Sequence, residues 1–333
     1  MYDLIIIGGG VAAFAAAIYA GRLQLKTLLV GEKVGGTIML TDEIANYPGF
    51  KKITGLELFR RIKEHAQDYD IEIMEKRAES IERQTGAVRN STGVPGSADG
   101  NISNATLRST SGAGVFEVAT KDERLKTKTV IIATGTHLRK LGVPGEDEFA
   151  NRGVHYCALC DGALYKNKVI GVVGGSDSAA TEALLLSEYA EKVFIIYRKE
   201  KIRAEPVTAQ RVERNKKIEI INNTNVTEMK GDKFLHSVIL DKPYKGSNEL
   251  KLDALFIQVG QIPLSDLAVA AGVKINQKKE IIINRDSETN IAGIFACGDV
   301  VDGKFKQAIT GVAQAVTAAH SAYEYIANLP ATE

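Results

Sequence analysis

The apolar and polar positions along the chain repeat one pattern twice. Residues 3–30, DLIIIGGGVAAFAAAIYAGRLQLKTLLV, run from a short apolar stretch through glycines into an alanine-rich stretch and a second apolar stretch. Residues 168–197, KVIGVVGGSDSAATEALLLSEYAEKVFIIY, have the same order, and a shift of 166 residues superposes Gly8 on Gly174. A short apolar run, a glycine turn and a helical pattern are typical of strand, turn and helix. We therefore predict two βαβ units.

The segment between the two units has a different composition. Residues 85–114 are rich in Gly, Ser, Asn and Thr, which predicts a flexible inserted loop or hairpin with little to bury. The sequences IEIMEKRAESIERQ and VFEVATKDERLKTKTVIIATGT on either side predict a small antiparallel excursion that returns to a buried strand. Residues 293–326 predict a strand, a Gly-Asp turn and a closing amphipathic helix.

Length and charge narrow the class of protein. A chain of 333 residues exceeds what one core usually organises, so we expect two domains. The formal net charge of +1 gives no indication that the protein binds nucleic acid or an anionic membrane. The N-terminus lacks the pattern of a signal peptide, no apolar run has the length of a membrane helix, and the three cysteines are too few for a disulfide-rich secreted scaffold. We expect a cytoplasmic protein.

The first glycine turn has the residue types that a dinucleotide requires. Gly8 permits a tight turn, Gly10 lets the backbone approach a pyrophosphate, and Ala13 permits close helix packing. The phosphates then lie at the helix N-terminus. In the second turn Ser176 takes the position of Gly10, and its side chain either crowds the pyrophosphate or donates to it. A glycine turn without a nucleotide is the alternative for both units.

The charge that follows the second strand differs between the units. The shift of 166 residues places Arg198 where the first unit has Glu32, and Lys199 and Arg203 follow. A carboxylate accepts hydrogen bonds from a free ribose 2′-hydroxyl, as in FAD or NAD, whereas basic side chains suit the 2′-phosphate of NADP. We predict FAD on the first unit and NADPH on the second, with solvated surface charges as the alternative.

Two of the three cysteines, Cys157 and Cys160, form a C-x-x-C motif. A zinc site would need a second ligand pair at suitable spacing, and none follows. A redox dithiol is favoured, because the start of a helix stabilises a thiolate. Asp161 either returns a proton to a thiolate or is only a helix-start carboxylate. His155 is left outside the catalytic set, and Cys297 is predicted to be a small buried residue.

Seven motifs together resemble the low-molecular-weight thioredoxin reductases of the bacterial, archaeal and plant type. They span nearly the whole chain except residues 85–114, and they are GGGVAA, VGGTIMLTDEIANYPGF, VIIATGT, GVPGEDEFANRGVHYCALCDG, VVGGSDSA, GIFACGDV and KQAITGVAQA. The resemblance implies an α/β fold of two Rossmann-like, three-layer ββα domains of the pyridine nucleotide-disulfide oxidoreductase type. Residues 1–140 and 257–333 would bind FAD, residues 141–256 would bind NADPH and carry the C-x-x-C motif, and the chain would form a homodimer.

The resemblance also implies an electron path from NADPH to FAD, to a Cys157–Cys160 disulfide, and to thioredoxin or a thioredoxin-like protein. Cys160 would be next to the flavin, Cys157 would exchange with the partner, and Asp161 would take the acid-base role. No metal is expected. The predicted FAD residues are Gly8, Gly10, Ala13, Glu32, Gly35, Gly36, Asn46, Thr134, Gly135, Gly298, Asp299, Gln307 and Ala308. The predicted NADPH residues are Gly174, Gly175, Ser176, Asp177, Ser178, Ala179, Arg198, Lys199 and Arg203.

Three positions depart from the family pattern. Tyr197, Arg198 and Lys199 stand for His-Arg-Arg, Ser176 stands for a glycine, and Leu159 stands for a threonine. Because lysine lacks the bidentate fork of arginine, NADH or ferredoxin remains open as the donor. A dithiol oxidase that passes electrons to oxygen is a rival enzyme, and a flavin-binding redox sensor is the non-enzymatic alternative. A peroxiredoxin-reducing flavoprotein is not expected, since it would carry an extra thioredoxin-like N-terminal region.

Overall fold

The computed structural model describes residues 1–41, 43–84 and 114–330. The strands of these ranges, in chain order, are β1 (Tyr2–Ile7), β2 (Thr27–Val30), β3 (Glu72–Met74), β4 (Ala78–Gln84), β5 (Val115–Thr120), β6 (Arg124–Ile132), β7 (Thr136–Leu138), β8 (Val154–His155), β9 (Val169–Val173), β10 (Lys192–Ile196), β11 (Ile218–Ile221), β12 (Val226–Gly231), β13 (Leu235–Tyr244), β14 (Ser247–Lys251), β15 (Ala254–Ile257), β16 (Gln261–Pro263) and β17 (Ile294–Ala296). The α-helices are α1 (Val11–Arg22), α2 (Gly55–Gln67), α3 (Ala158–Asp161), α4 (Asp177–Tyr189), α5 (Pro206–Arg214), α6 (Asp266–Ala270) and α7 (Ala308–Ala327).

The first compact unit comprises residues 1–34, 62–134 and 265–333. Its sheet has the order β3-β2-β1-β6-β5-β4, and β17 pairs in parallel with the last part of β6. The pairs β1–β2, β2–β3 and β1–β6 are parallel, and β2 is buried at all four residues, as expected for a strand covered on both faces. The strands β4, β5 and β6 form an antiparallel meander. The predicted excursion that returns to a buried strand is therefore confirmed.

The second compact unit comprises residues 35–61 and 135–264. Its parallel sheet has the order β11-β10-β9-β15-β8, and β12, β13 and β14 form a separate antiparallel sheet. One apolar core, with Val172, Ala183 and Val193, includes buried residues of α4. The other core, with Phe194 and Leu240, joins the parallel sheet to the antiparallel one. Helices, a parallel sheet and an antiparallel sheet form the predicted three-layer ββα arrangement.

The two predicted βαβ units are confirmed, and their boundaries repeat at the predicted spacing of 166 residues. β1 and β9 end at Ile7 and Val173, α1 and α4 begin at Val11 and Asp177, and β2 and β10 end at Val30 and Ile196. The closing helix is also confirmed, as α7, which packs against α1.

The loop predicted for residues 85–114 lies outside the described residues except for Gly114. Residues 35–61, which the sequence places in the FAD-binding part, group with the second compact unit. The assignment of FAD-binding and NADPH-binding domains stays a prediction. Among the described helices, none combines the length and apolar character that crossing a membrane requires.

Candidate redox centre and nucleotide-binding turns

Cys157 and Cys160 form a disulfide, with their Cα atoms 5.4 Å apart. Cys157 lies between β8 and α3 in extended conformation and is the N-cap of α3, where its Sγ accepts the Cys160 N–H at 3.1 Å. Cys157 is 7% exposed, whereas Cys160 is exposed. The predicted disulfide at the start of a short helix is confirmed; the separate roles of the two sulfur atoms stay predictions.

Asp161, at the end of α3, lies beside a buried histidine. The Nδ1 atom of His155 is 3.0 Å from Asp161 Oδ2, and His155 Nε2 is 2.7 Å from the Tyr165 hydroxyl. The imidazole stacks on Phe256, with ring centroids 5.3 Å apart and an interplanar angle of 27°. Burial lowers the pKa of His155, although Asp161 opposes this effect. Burial of the ring thus favours the neutral form of the imidazole.

The carboxyl group of Glu182, a half-buried residue of α4, was missed by sequence reasoning. Its carboxyl group lies near the backbone N–H of Ala158, the first residue of α3, and near the Gln258 amide, and both interactions favour its charged form. Among the described residues, Oε2 of Glu182 has no hydrogen-bond partner although it is buried. Burial raises the pKa of Glu182 to about 8. A sequence signal existed, because Glu182 follows the buried Ala179 and precedes the buried Leu186 at helical spacing.

The first glycine turn has space where a ligand would approach. A Cβ on Gly8 (φ +146°) would lie 2.1 Å from the Ala133 carbonyl oxygen, and one on Gly9 would lie 2.3 Å from that of Lys33. At Gly10, by contrast, no heavy atom of the described residues lies within 4 Å of such a Cβ. The packing of the chain thus explains Gly8 and Gly9 but not Gly10. The first turn of α1 carries no acidic residue and no side-chain cap, so its N–H groups suit a pyrophosphate.

Four predicted FAD residues of the first unit lie at one edge of its sheet. Gly8, Glu32, Thr134 and Gly298 follow β1, β2, β6 and β17, which are parallel neighbours. Their carboxyl ends therefore meet where open α/β sheets bind ligands. The remaining predicted FAD residues of this unit are Gly10, Ala13, Asp299, Gln307 and Ala308, and those in the second unit are Gly35, Gly36, Asn46 and Gly135.

The turn after β17 leads to the start of α7. Gly298 has a φ of +80°, and a Cβ there would lie 3.0 Å from the Ala12 Cβ, so the turn packs closely on α1. Burial raises the pKa of the Asp299 carboxyl, while Lys306 opposes this effect. Gln307 is the N-cap of α7 in a capping box. An acceptor and a helix N-terminus are thus presented together, which fits the hydroxyl groups and polar ring of a flavin cofactor.

The second glycine turn accommodates both of its departures from the family pattern. Ser176 has φ −84° and ψ 176°, close to the −89° and −177° of Gly10, so the serine does not change the backbone of the turn. A Cβ on Gly175 would lie 2.4 Å from the Tyr197 ring. The Arg203 N–H donates to the Gly175 carbonyl at 2.6 Å, and Arg203 Nε donates to the Tyr197 hydroxyl at 3.1 Å. Tyr197 therefore supports the turn and holds Arg203 beside it.

The basic residues that follow β10 are available to an anion. Arg198, Lys199 and Arg203 are exposed, and within the part of the chain that the structure describes no acidic side chain forms an ion pair with any of them. Of the other predicted NADPH residues, Gly174, Gly175, Ser176, Ser178 and Ala179 lie in the turn and the first turn of α4. Asp177 accepts the Glu205 N–H at 2.9 Å.

Two further predictions concern Cys297 and the absence of a metal site. Cys297 is fully buried, which confirms that it is a small buried residue, and burial raises the pKa of its thiol to about 12. Over residues 1–41, 43–84 and 114–330, no group of three or more His, Cys, Asp or Glu side chains is arranged to hold a metal ion.

Comparison with known proteins places the chain in a family. A family model described as pyridine nucleotide-disulphide oxidoreductase matches residues 2–315. The chain belongs to this family. It is 34% identical over 335 residues to the thioredoxin reductase of Bacillus subtilis, covering 100% of this chain and 97% of that protein. It is 35% identical to a component of alkyl hydroperoxide reductase of Staphylococcus epidermidis over 98% of this chain, but spans only 59% of the length of that relative.

Two solved structures of the family match the fold closely. The crystal structure of Lactococcus lactis thioredoxin reductase (FR conformation) has a TM-score of 0.86 and 36% identity, over 99% of this chain and 100% of that one. The crystal structure of T. acidophilum thioredoxin reductase has a TM-score of 0.83 and 32% identity, over 97% and 98% of the two chains. The predicted pyridine nucleotide-disulfide oxidoreductase fold is thereby confirmed.

Proposed function

We propose that the chain is an FAD-dependent thioredoxin-disulfide reductase in which electrons pass from NADPH through FAD to the Cys157–Cys160 disulfide and then to thioredoxin or a thioredoxin-like protein. The observation that carries the proposal is the disulfide, which lies in the same compact unit as the second glycine turn. Relatives named thioredoxin reductase, similar over the whole chain, support it. Homodimeric assembly and a cytoplasmic location stay predictions.

FAD is assigned to the first glycine turn because the residues present fit it. Bound FAD supplies the capacity to take an electron pair from a nicotinamide and pass it to a disulfide. The N–H groups at the start of α1 would bind the pyrophosphate, Glu32 would accept a ribose hydroxyl, and Asp299 would accept a hydroxyl of the ribityl chain. The other proposed FAD residues rest on the family resemblance, and they are Ala13, Gly35, Gly36, Asn46, Thr134, Gly135, Gln307 and Ala308.

NADPH is assigned to the second glycine turn. Arg198 and Lys199 are exposed without an acidic partner in the described residues, and Arg203 is held beside Gly175. These three cations would surround a 2′-phosphate, which a basic fork recognises better than a hydroxyl. The turn residues Gly174 to Ala179 would contact the pyrophosphate at the start of α4.

The dithiol would transfer electrons by thiol–disulfide exchange. The thiolate of Cys157 attacks one sulfur of the thioredoxin disulfide, and the Cys160 thiolate then attacks the mixed disulfide and releases reduced thioredoxin. Reduction of the Cys157–Cys160 disulfide would break its S–S bond with two electrons that FAD would supply when bound, and the two sulfur atoms would take up two protons. Asp161 would supply one of these protons.

An anaerobic titration of the flavin-loaded protein tests the donor and the electron path. We expect stoichiometric NADPH to bleach the oxidised flavin absorbance, NADH to do so only at much higher concentration, and oxidised thioredoxin, as the electron acceptor, to restore the absorbance. Bleaching by NADH at equal concentration would contradict the assigned role of the basic residues. Failure of both nucleotides, together with rapid oxygen consumption on addition of a dithiol, would favour a dithiol oxidase. Flavin binding without turnover would favour a redox sensor.

A further inference from the structure

His155 is placed to act on Asp161 rather than on a cysteine. It ends β8, two residues before Cys157, and its imidazole is 3% exposed. Its two nitrogen atoms have different neighbours, Asp161 at 3.0 Å from Nδ1 and the Tyr165 hydroxyl at 2.7 Å from Nε2. Phe256 covers one face of the ring. Contacts on three sides therefore fix the orientation of the imidazole.

The surrounding groups select one tautomer. The Tyr165 hydroxyl lies within hydrogen-bond distance of Nε2 and can donate to it, because burial favours the neutral imidazole. The single ring proton then belongs to Nδ1, which faces Asp161. Nδ1 and Asp161 Oδ2 are 3.0 Å apart, but the two groups do not have the geometry of a hydrogen bond. The contact is therefore electrostatic. Tyr165, His155 and Asp161 thus form a series of polar contacts. Its last member, Asp161, is the residue next to Cys160.

We propose that His155 is a positioning residue that, with Tyr165, holds the Asp161 carboxylate for proton transfer at the Cys157–Cys160 pair. This inference rests on the proposed function, because it needs a dithiol that is reduced and reoxidised. When the S–S bond breaks and the sulfur atoms take up two protons, Asp161 gives one proton to the Cys160 sulfur and recovers a proton from solvent, and solvent supplies the proton of the Cys157 sulfur. A carboxyl group that is free to rotate would be oriented for proton transfer to that sulfur atom less often.

Two isosteric substitutions separate positioning from packing. In His155→Asn the side-chain amide nitrogen occupies the place of Nδ1, so the donor toward Asp161 is kept. In His155→Gln it occupies the place of Nε2, so the contact with Tyr165 is kept and the donor toward Asp161 is lost. We expect kcat for thioredoxin reduction to fall about tenfold in His155→Gln, with KM for thioredoxin unchanged, and to stay within about threefold of the parent in His155→Asn.

The surface pair His236 and Asp232 provides a matched control, since its nitrogen and oxygen atoms are 3.1 Å apart and both side chains are exposed. His236→Gln should leave kcat unchanged. Equal losses in His155→Asn and His155→Gln would show that the histidine only fills space, and full activity of His155→Gln would show that Asp161 needs no positioning. Either result overturns the proposal.

A second measurement does not depend on turnover. In protein labelled with 15N-histidine, we expect the His155 imidazole to be the neutral Nδ1–H tautomer, assigned by its loss in His155→Asn. An Nε2–H tautomer or a charged imidazolium at neutral pH overturns the inference, even where His155→Gln does not fold. Absence of thioredoxin reduction by the parent protein, with the Nδ1–H tautomer present, would instead count against the proposed function.

Discussion

The buried carboxyl group of Glu182 predicts an unusual dependence of stability on pH. Its folded pKa is about 8, against an ordinary value of 4.5 for the unfolded chain, and burial is the main cause. The folded protein therefore binds the proton more tightly than the unfolded chain does. Stability conferred by the neutral carboxyl is complete below pH 4.5 and is lost as the pH rises toward 8. Glu182→Gln replaces the carboxyl with a neutral group of the same shape and should remove this loss.

The magnitude follows from the two pKa values. Between them, the free energy of unfolding falls by about 1.4 kcal/mol for each step of one in pH. From about pH 5 to about pH 8 the parent should thus lose about 3.5 kcal/mol that Glu182→Gln keeps, because the dependence on pH is shallower close to each of the two pKa values. Glutamine has the shape of the neutral glutamic acid and carries no charge, so the variant should fold normally at low pH. Its advantage over the parent should be small at pH 5 and largest at pH 8.

Urea unfolding of the full chain, followed by far-UV circular dichroism at several pH values, measures this difference. Other titrating groups affect parent and variant alike, so the difference between the two proteins isolates Glu182. Glu188→Gln is the matched control, because Glu188 is an exposed carboxyl on the same helix. Its stability should follow that of the parent at every pH. A Glu182→Gln variant that also parallels the parent from pH 5 to pH 8 would refute the reasoning.

The remaining predictions concern the dithiol and the two turns. Cys157→Ser and Cys160→Ser should each abolish thioredoxin reduction while FAD absorbance is kept, and full turnover in either variant would contradict the dithiol mechanism. Gly10→Ala should keep the unfolding free energy of the apo-protein within about 1 kcal/mol and weaken FAD binding about tenfold or more, measured by flavin fluorescence. Gly8→Ala should instead destabilise the apo-protein, because its Cβ would lie 2.1 Å from a carbonyl oxygen. Arg198→Ala should raise KM for NADPH about tenfold or more and leave that for NADH unchanged, as loss of a charged hydrogen bond requires.

The parts of the fold that sequence predicted are those with local signals. The glycine turns and apolar strands of both βαβ units are local patterns, and the shift from Gly8 to Gly174 is preserved in the element boundaries of the structure. The contact between Glu182 and the Ala158 N–H was not predictable, because it depends on how α4 packs against α3. In the sequence Tyr197 is only a departure from the basic motif of the family. Its role in supporting the glycine turn follows from the structure, in which its ring lies against Gly175.

The structure indicates a different physical reason for a stabilised sulfur atom at the start of α3 than the helix dipole. The helix α3 has only four residues, so its macrodipole is small, and the sulfur atom of Cys157 is instead contacted directly by the Cys160 N–H at 3.1 Å. Glu182 interacts with the backbone N–H of Ala158, the residue that follows Cys157. A neutral Glu182 adds no negative charge beside the dithiol, whereas an ionised one would oppose a thiolate there.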